Sequence, residues 1–278
     1  MISREQWLKG LADHLRQLEM LWDLEPIQLM DNLSVHIVGH SKRKSDGLAV
    51  VVKTGPDIDL IDREKQWLRH FPGYAVQVLG AEKSHGAILM ERLEPGVTLK
   101  QATEHDDDEK TLILASMIKG LHSRSIIGGV FKHLSELAKD LDVLEGAVDK
   151  KLLAKARGIF AELTLDRSQD RLLHGDLHHG NILKHKVSWK VIDPHGYLGD
   201  PTFEMAVMMY NPLDAFPTNR PLKKTLERRF AILNEQLYFD LQRMKMWAFA
   251  MAMLSTAWTF EDTQKLLGIP FLVAQELQ

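Results

Sequence analysis

Leu172-Leu173-His174-Gly175-Asp176-Leu177-His178-His179-Gly180-Asn181-Ile182-Leu183 is the stretch on which the reading of this chain turns. Asp193, inside Val191-Ile192-Asp193-Pro194-His195, follows twelve residues after Asn181. The pattern is His-x-Asp, four residues, Asn, then a strand ending in a second Asp. Phosphoryl transfer uses these types at this spacing. The first Asp accepts a hydrogen bond from the attacking hydroxyl, and the Asn oxygen and second Asp hold Mg²⁺ on nucleotide phosphates. Short strands on either side of the loop would aim all three.

Upstream of the loop the chain changes period twice. Ser3-x-x-Gln6 is a capping-box pattern. Trp7, Leu8, Leu11, Leu15, Leu18 and Trp22 then recur at helical spacing and predict one opening helix of about five turns. Ile27–Met30 and Val35–Val38 read as short strands joined by Asp31-Asn32-Leu33-Ser34, and Leu48–Lys53 reads as a buried β-branched strand. A helix over Asp62–Phe71 ends at Pro72-Gly73. Strands over Val76–Leu79 and Gly86–Met90 complete a five-stranded sheet.

Glu94-Pro95-Gly96 breaks the chain, and a helical remainder follows. Asp106–Glu109 reads as a solvated acidic helix start. Leu134, Leu137, Leu141, Leu144 and Val148 predict an amphipathic helix, and Met244–Phe260 a buried core helix. Trp247, Phe249, Met251, Met253 and Trp258 read as core rather than a ligand box. The expected organisation is an α+β, two-lobed fold, with a lobe over residues 1–91 and a helical lobe over 92–278.

Composition narrows the classes further. The 278 residues are 45% hydrophobic and 26% charged, with 35 basic against 38 acidic side chains and a formal charge of -3. This is not the basic footprint of a nucleic-acid binder. No cysteine is present, which excludes disulfides, thiolate catalysis and cysteine metal sites. Lys245 interrupts the most apolar run, which falls short of the roughly 20 residues that span a bilayer. The polar N-terminus lacks a secretory signal, so a cytoplasmic protein with no membrane partner is expected. Oligomeric state is not legible.

His174–Ile182, Val191–Pro201 and Phe203-Glu204-Met205-Ala206 together resemble the aminoglycoside phosphotransferases, in particular their streptomycin 6-kinase and hydroxyurea-kinase branch. Gly175 between His174 and Asp176, and Pro194-His195 after Asp193, separate the pattern from protein kinases. The resemblance implies a protein-kinase-like fold, use of ATP or occasionally GTP with Mg²⁺, and a small aminoglycoside-like substrate. It implies that Asp176 is catalytic with His174 supporting the loop, and that Asn181 and Asp193 are metal ligands. Lys53 would contact the α/β-phosphates, paired with Glu64 or, as a second candidate, Glu82. Glu91–Leu93 would be the hinge whose backbone reads adenine. Asp200 would start a helix and brace the catalytic loop. Asn32 and Ser34 would meet the phosphates from a hairpin without the glycines of a protein-kinase loop.

Five histidines (His174, His178, His179, His185, His195) cluster around the motif and read as loop packing rather than a zinc site. Asp214, Glu235, Glu261 and Asp262 are carboxylates available to a cationic substrate. A kinase for choline, homoserine or a sugar, and a non-catalytic nucleotide-binding protein, are the competing expectations.

Overall fold

A computed structural model describes residues 4–30, 36–124 and 129–278. The chain forms two compact units, one over Met1–Gly96 with Lys184–Ile192, the other over Val97–Leu183 with Asp193–Gln278.

The first unit opens with two helices, α1 (Arg4–Lys9) and α2 (Leu11–Leu21), rather than one. Gly10, at φ -95° and ψ 3°, interrupts the helix, and glycine is the least favourable residue in a helix interior after proline. The sheet contains β1 (Gln28–Leu29), β2 (Ile37–Lys42), β3 (Ala49–Thr54), β4 (Val78–Glu82) and β5 (Ala87–Glu91), in the order β1-β2-β3-β5-β4. Its pairings are antiparallel. α3 (Ile58–His70) intervenes between β3 and β4, so β5 rather than β4 lies beside β3. Asp57 starts α3 by accepting the Leu60 N–H, four residues before the expected start.

Strand alternation divides β3 between two environments. Val50 and Val52 join Leu18, Leu24, Ala87 and Leu89 in one apolar cluster. Lys53 points the other way, towards α3.

The second unit is mainly helical: α4 (Asp107–His122), α5 (Lys150–Leu163), α6 (Leu222–Leu237), α7 (Leu241–Thr263) and α8 (Ile269–Glu276). α4 starts with a reciprocal capping box between Asp106 and Glu109. Its acidic start is not merely solvated, as expected from sequence. Asp107 pairs with Arg229, whose side chain is fully buried, and Asp108 receives Arg220 and Arg228. Leu134–Leu144 forms a 3₁₀ helix instead of the expected α-helix. Leu134, Leu137, Leu141 and Leu144 still face the core, and Val148 lies beyond its end.

α7 is the core helix. Trp247 is completely buried, with Phe160 and Phe203 edge-on to it at 5.4 and 5.1 Å between ring centroids. Trp258 departs from the expected core role: it is half-buried and its indole N–H donates to Asp140. Among the described residues no helix is long and apolar enough to cross a membrane.

Candidate active site

Strand β6 (Arg171–Leu173) delivers the chain to His174, and β7 (Tyr197–Gly199) pairs with it antiparallel, Tyr197 opposite Leu173. Between them the His174 carbonyl accepts the N–H groups of His195 and Gly196, at 2.8 and 3.0 Å. Two parts of the motif are thereby tied at their base. Gly175 must be glycine: its φ is +81°, and a Cβ would lie 2.6 Å from the Tyr197 ring.

Below the loop lies Glu204, 1% exposed, in a 3₁₀ segment over Pro201–Met205. Its carboxylate accepts the His174 N–H at 2.7 Å and the Gly175 N–H at 3.1 Å. His122, at the end of α4, approaches the same carboxylate at 3.8 Å. The sequence quoted Glu204 only as part of a resemblance. Its available signal was a single acid in the apolar run Phe203–Tyr210. Asp200 caps the 3₁₀ segment through Thr202 N–H and holds Arg243 and Trp247 of α7. It starts a helix as expected, while Glu204 is the side chain that reaches the loop.

Asp176 stands at the loop's turn with 29% of its side chain exposed. Its Oδ2 accepts the Asn181 amide at 3.1 Å, and the same amide donates to the Asp176 carbonyl at 2.9 Å. His178 Nε2 lies 3.5 Å and His195 Nε2 3.9 Å from that oxygen. These polar contacts converge on Oδ2, and among the described residues no hydrogen bond reaches Oδ1. Burial pushes the Asp176 carboxyl up. The His178 imidazole 3.5 Å away, with the electrostatic attraction of His195 and His174, outweighs burial and holds it below the ordinary carboxylate range. Tyr210 moves the opposite way: burial first, then the Asp176 charge, push its phenol up, so it stays protonated.

Asn181 is 8% exposed, and because its amide nitrogen faces Asp176, its oxygen is the atom left for another partner. Asp193 is exposed and adopts φ +60°, a left-handed conformation uncommon for a residue with a side chain. The two offer oxygen donors of the hard type that Mg²⁺ takes. His174 makes its contacts with the loop itself: the Asp176 N–H donates to its Nδ1 at 3.3 Å. His179 is fully buried and neither ring nitrogen has a hydrogen-bond partner. It lines a cleft of about 560 Å³ with Lys110, Asp214 and Lys100, the last two paired at 2.5 Å.

In the first unit Lys53 Nζ and Glu64 Oε2 form an ion pair of 2.7 Å, with the two residues 5% and 3% exposed. Glu82 does not serve as the partner; it caps the turn at Ser84. The Glu91 N–H donates to the Gln77 carbonyl, and its carboxylate takes Lys190 at 2.7 Å and the Gln77 N–H at 2.9 Å. His185 joins this group rather than the loop, 3.7 Å from the Glu91 carboxylate, with its Nδ1 accepting the Glu94 N–H. Leu93 is buried. Asn32 and Ser34 lie outside the described residues, as do Ser3 of the opening cap and the start of the second predicted strand.

Comparisons with known proteins identify the family and the fold. Residues 22–263 match the family described as aminoglycoside/hydroxyurea antibiotic resistance kinase. The streptomycin 6-kinase of Streptomyces glaucescens is 29% identical over 269 residues, covering 93% of this chain and 86% of that protein. The streptomycin 3''-kinase of Klebsiella pneumoniae is 36% identical over 183 residues, 64% of this chain and 68% of its own length. In fold, the chain is similar to the aminoglycoside phosphotransferase APH(4)-Ia in ternary complex with ADP and hygromycin B. That match has a TM-score of 0.67 at 14% identity and covers 94% of this chain and 98% of the other. The expected α+β, kinase-like fold is thus the observed one. The chain belongs to the aminoglycoside/hydroxyurea antibiotic resistance kinase family and is a small-molecule phosphotransferase.

Proposed function

We propose that this kinase moves the γ-phosphoryl group of a nucleoside triphosphate, ATP or alternatively GTP, onto a hydroxyl of a small cationic, sugar-like acceptor. An aminoglycoside such as streptomycin is the leading acceptor. The observation that carries the reading is the half-engaged carboxylate of Asp176: Oδ2 is held by Asn181, while among the described residues no hydrogen bond reaches Oδ1. An ionised carboxylate with one oxygen fixed and one free can accept the hydrogen bond of an incoming hydroxyl and point its lone pair at phosphorus. Two relatives named for streptomycin support that acceptor class.

His174 and Glu204 hold the loop that carries Asp176. The oxygens of Asn181 and Asp193 would hold Mg²⁺, which when bound draws charge from the phosphate oxygens. Lys53, kept in place by Glu64, would contact the α/β-phosphates. Since the Glu91 N–H is already engaged by Gln77, adenine would be read by the Glu91 carbonyl and the Leu93 N–H. Use of a nucleoside triphosphate suits a cytoplasmic enzyme.

The test is phosphate transfer from ATP and from GTP, with and without EDTA, to a panel of acceptors. The panel holds streptomycin, hygromycin B, hydroxyurea, choline, homoserine and a simple sugar. Mg²⁺-dependent transfer to an aminoglycoside is expected. Transfer to choline or homoserine and to no aminoglycoside would overturn the acceptor assignment. Nucleotide binding without transfer to any acceptor would support a non-catalytic protein instead.

A further inference from the structure

His178 follows Asp176 by two residues, and by sequence it is one more loop histidine. In the fold its ring is gripped from one side: the Gly180 N–H donates to Nδ1 at 3.0 Å. A ring nitrogen that accepts a hydrogen bond does not carry the proton, so the proton sits on Nε2. Gly180 is part of the device, because a Cβ there would come within 2.8 Å of His178 Cε1. The protonated Nε2 then faces Asp176 Oδ2 at 3.5 Å, the same oxygen that takes the Asn181 amide. That distance is the outer edge of hydrogen bonding, and catalytic contacts of this sort tighten when substrate binds.

We propose that His178 is a positioning residue for phosphoryl transfer, pinning Asp176 Oδ2 together with the Asn181 amide so that Oδ1 alone meets the acceptor hydroxyl. A carboxylate held by one donor can still tilt about χ2; a second donor from another direction fixes its plane. His195 is farther from the same oxygen and 44% exposed, so it is the weaker candidate for the task. The proposal rests on the phosphotransfer reading above, and its test separates the two.

Wild-type turnover on the acceptor panel comes first; no transfer to any acceptor would count against the phosphotransfer reading, not against the His178 contact. His178→Ala is then compared with His178→Gln, whose amide can still donate to Asp176. For His178→Ala, kcat should fall by about 10- to 100-fold, the scale of a misplaced catalytic group, with nucleotide KM unchanged. His178→Gln should recover most of the loss. Three outcomes overturn the idea: kcat of His178→Ala within twofold of wild type, a loss confined to nucleotide KM, or no recovery with glutamine. Nitrogen-15 spectra of the wild-type imidazole give a readout that needs no acceptor. A proton on Nε2 is expected. A proton on Nδ1 would leave Nε2 an acceptor facing a carboxylate, and His178 could not hold Asp176.

Discussion

Two carboxylates in the same unit, Glu204 and Asp176, are treated in opposite ways. Each Glu204 oxygen accepts one backbone N–H, and the residue is 1% exposed. Asp176 is close by in the chain to the N–H groups Glu204 holds, yet one of its oxygens is left open and more than a quarter of its side chain reaches solvent. A buried carboxylate with both oxygens bound to backbone N–H groups stabilises a backbone shape. A carboxylate fixed at one oxygen is oriented and still available. His179 is a third case, a buried imidazole with no partner at all.

The largest effect expected from breaking this contrast is at Asp176. Asp176→Asn keeps the shape but removes the charge and one acceptor, so kcat should fall by about 10²- to 10⁴-fold, the range of a positioned acid–base group. The thermal midpoint should hold or rise, as it commonly does when a functional group is removed. Steady-state kinetics and a melting curve decide it, and near-normal kcat would sink the assignment.

Glu204→Gln should reverse the balance. It leaves one buried N–H facing an amide instead of a carboxylate oxygen, at a cost of about 1–3 kcal/mol in stability. Urea unfolding measures it. A change within about 0.5 kcal/mol, the level of an ordinary surface substitution, would mean the loop does not depend on this acceptor.

The smallest effect concerns His179. Burial first, then the charges of Arg229, His178 and Lys110, push its pKa well below the usual value. The unfolded chain therefore takes up a proton near pH 6.5 that the folded chain refuses. Stability should fall as pH drops below about 6.5, by up to about 1.4 kcal/mol per pH unit. His179→Leu should show a shallower loss between pH 6.5 and 5 than wild type. Parallel curves would contradict the shift.

The loop that carries Asp176 was legible because the proposed chemistry constrains residue type and spacing within one short segment. Lys53 and Glu64 were legible only in the light of that loop, and the 2.7 Å pair bears out the sequence pairing. Glu204 was not, since its partners are backbone N–H groups about thirty positions away, and no spacing rule connects an acid to an amide that distant. Arg229 with Asp107 escaped for the same reason, an attachment of 122 positions. The five strands were readable in number but not in bounds: β2 runs Ile37–Lys42 against the expected Val35–Val38, and β4 Val78–Glu82 against Val76–Leu79. The break at Gly10 and the 3₁₀ character of Leu134–Leu144 were not, because a periodicity of three and four residues serves either helix type.

The return of Lys184–Ile192 to the first unit has a practical consequence for dissecting the protein. Val191 exchanges backbone hydrogen bonds with Tyr74 and Val76, and Lys190 neutralises the Glu91 carboxylate. A fragment ending at Gly96 would lose all of these at once, leaving the Val76 N–H, the Tyr74 carbonyl and the Glu91 carboxylate without these partners. Isolating the first unit would require grafting Lys184–Ile192 back on through a designed linker, because the chain order and the spatial order of this protein do not coincide.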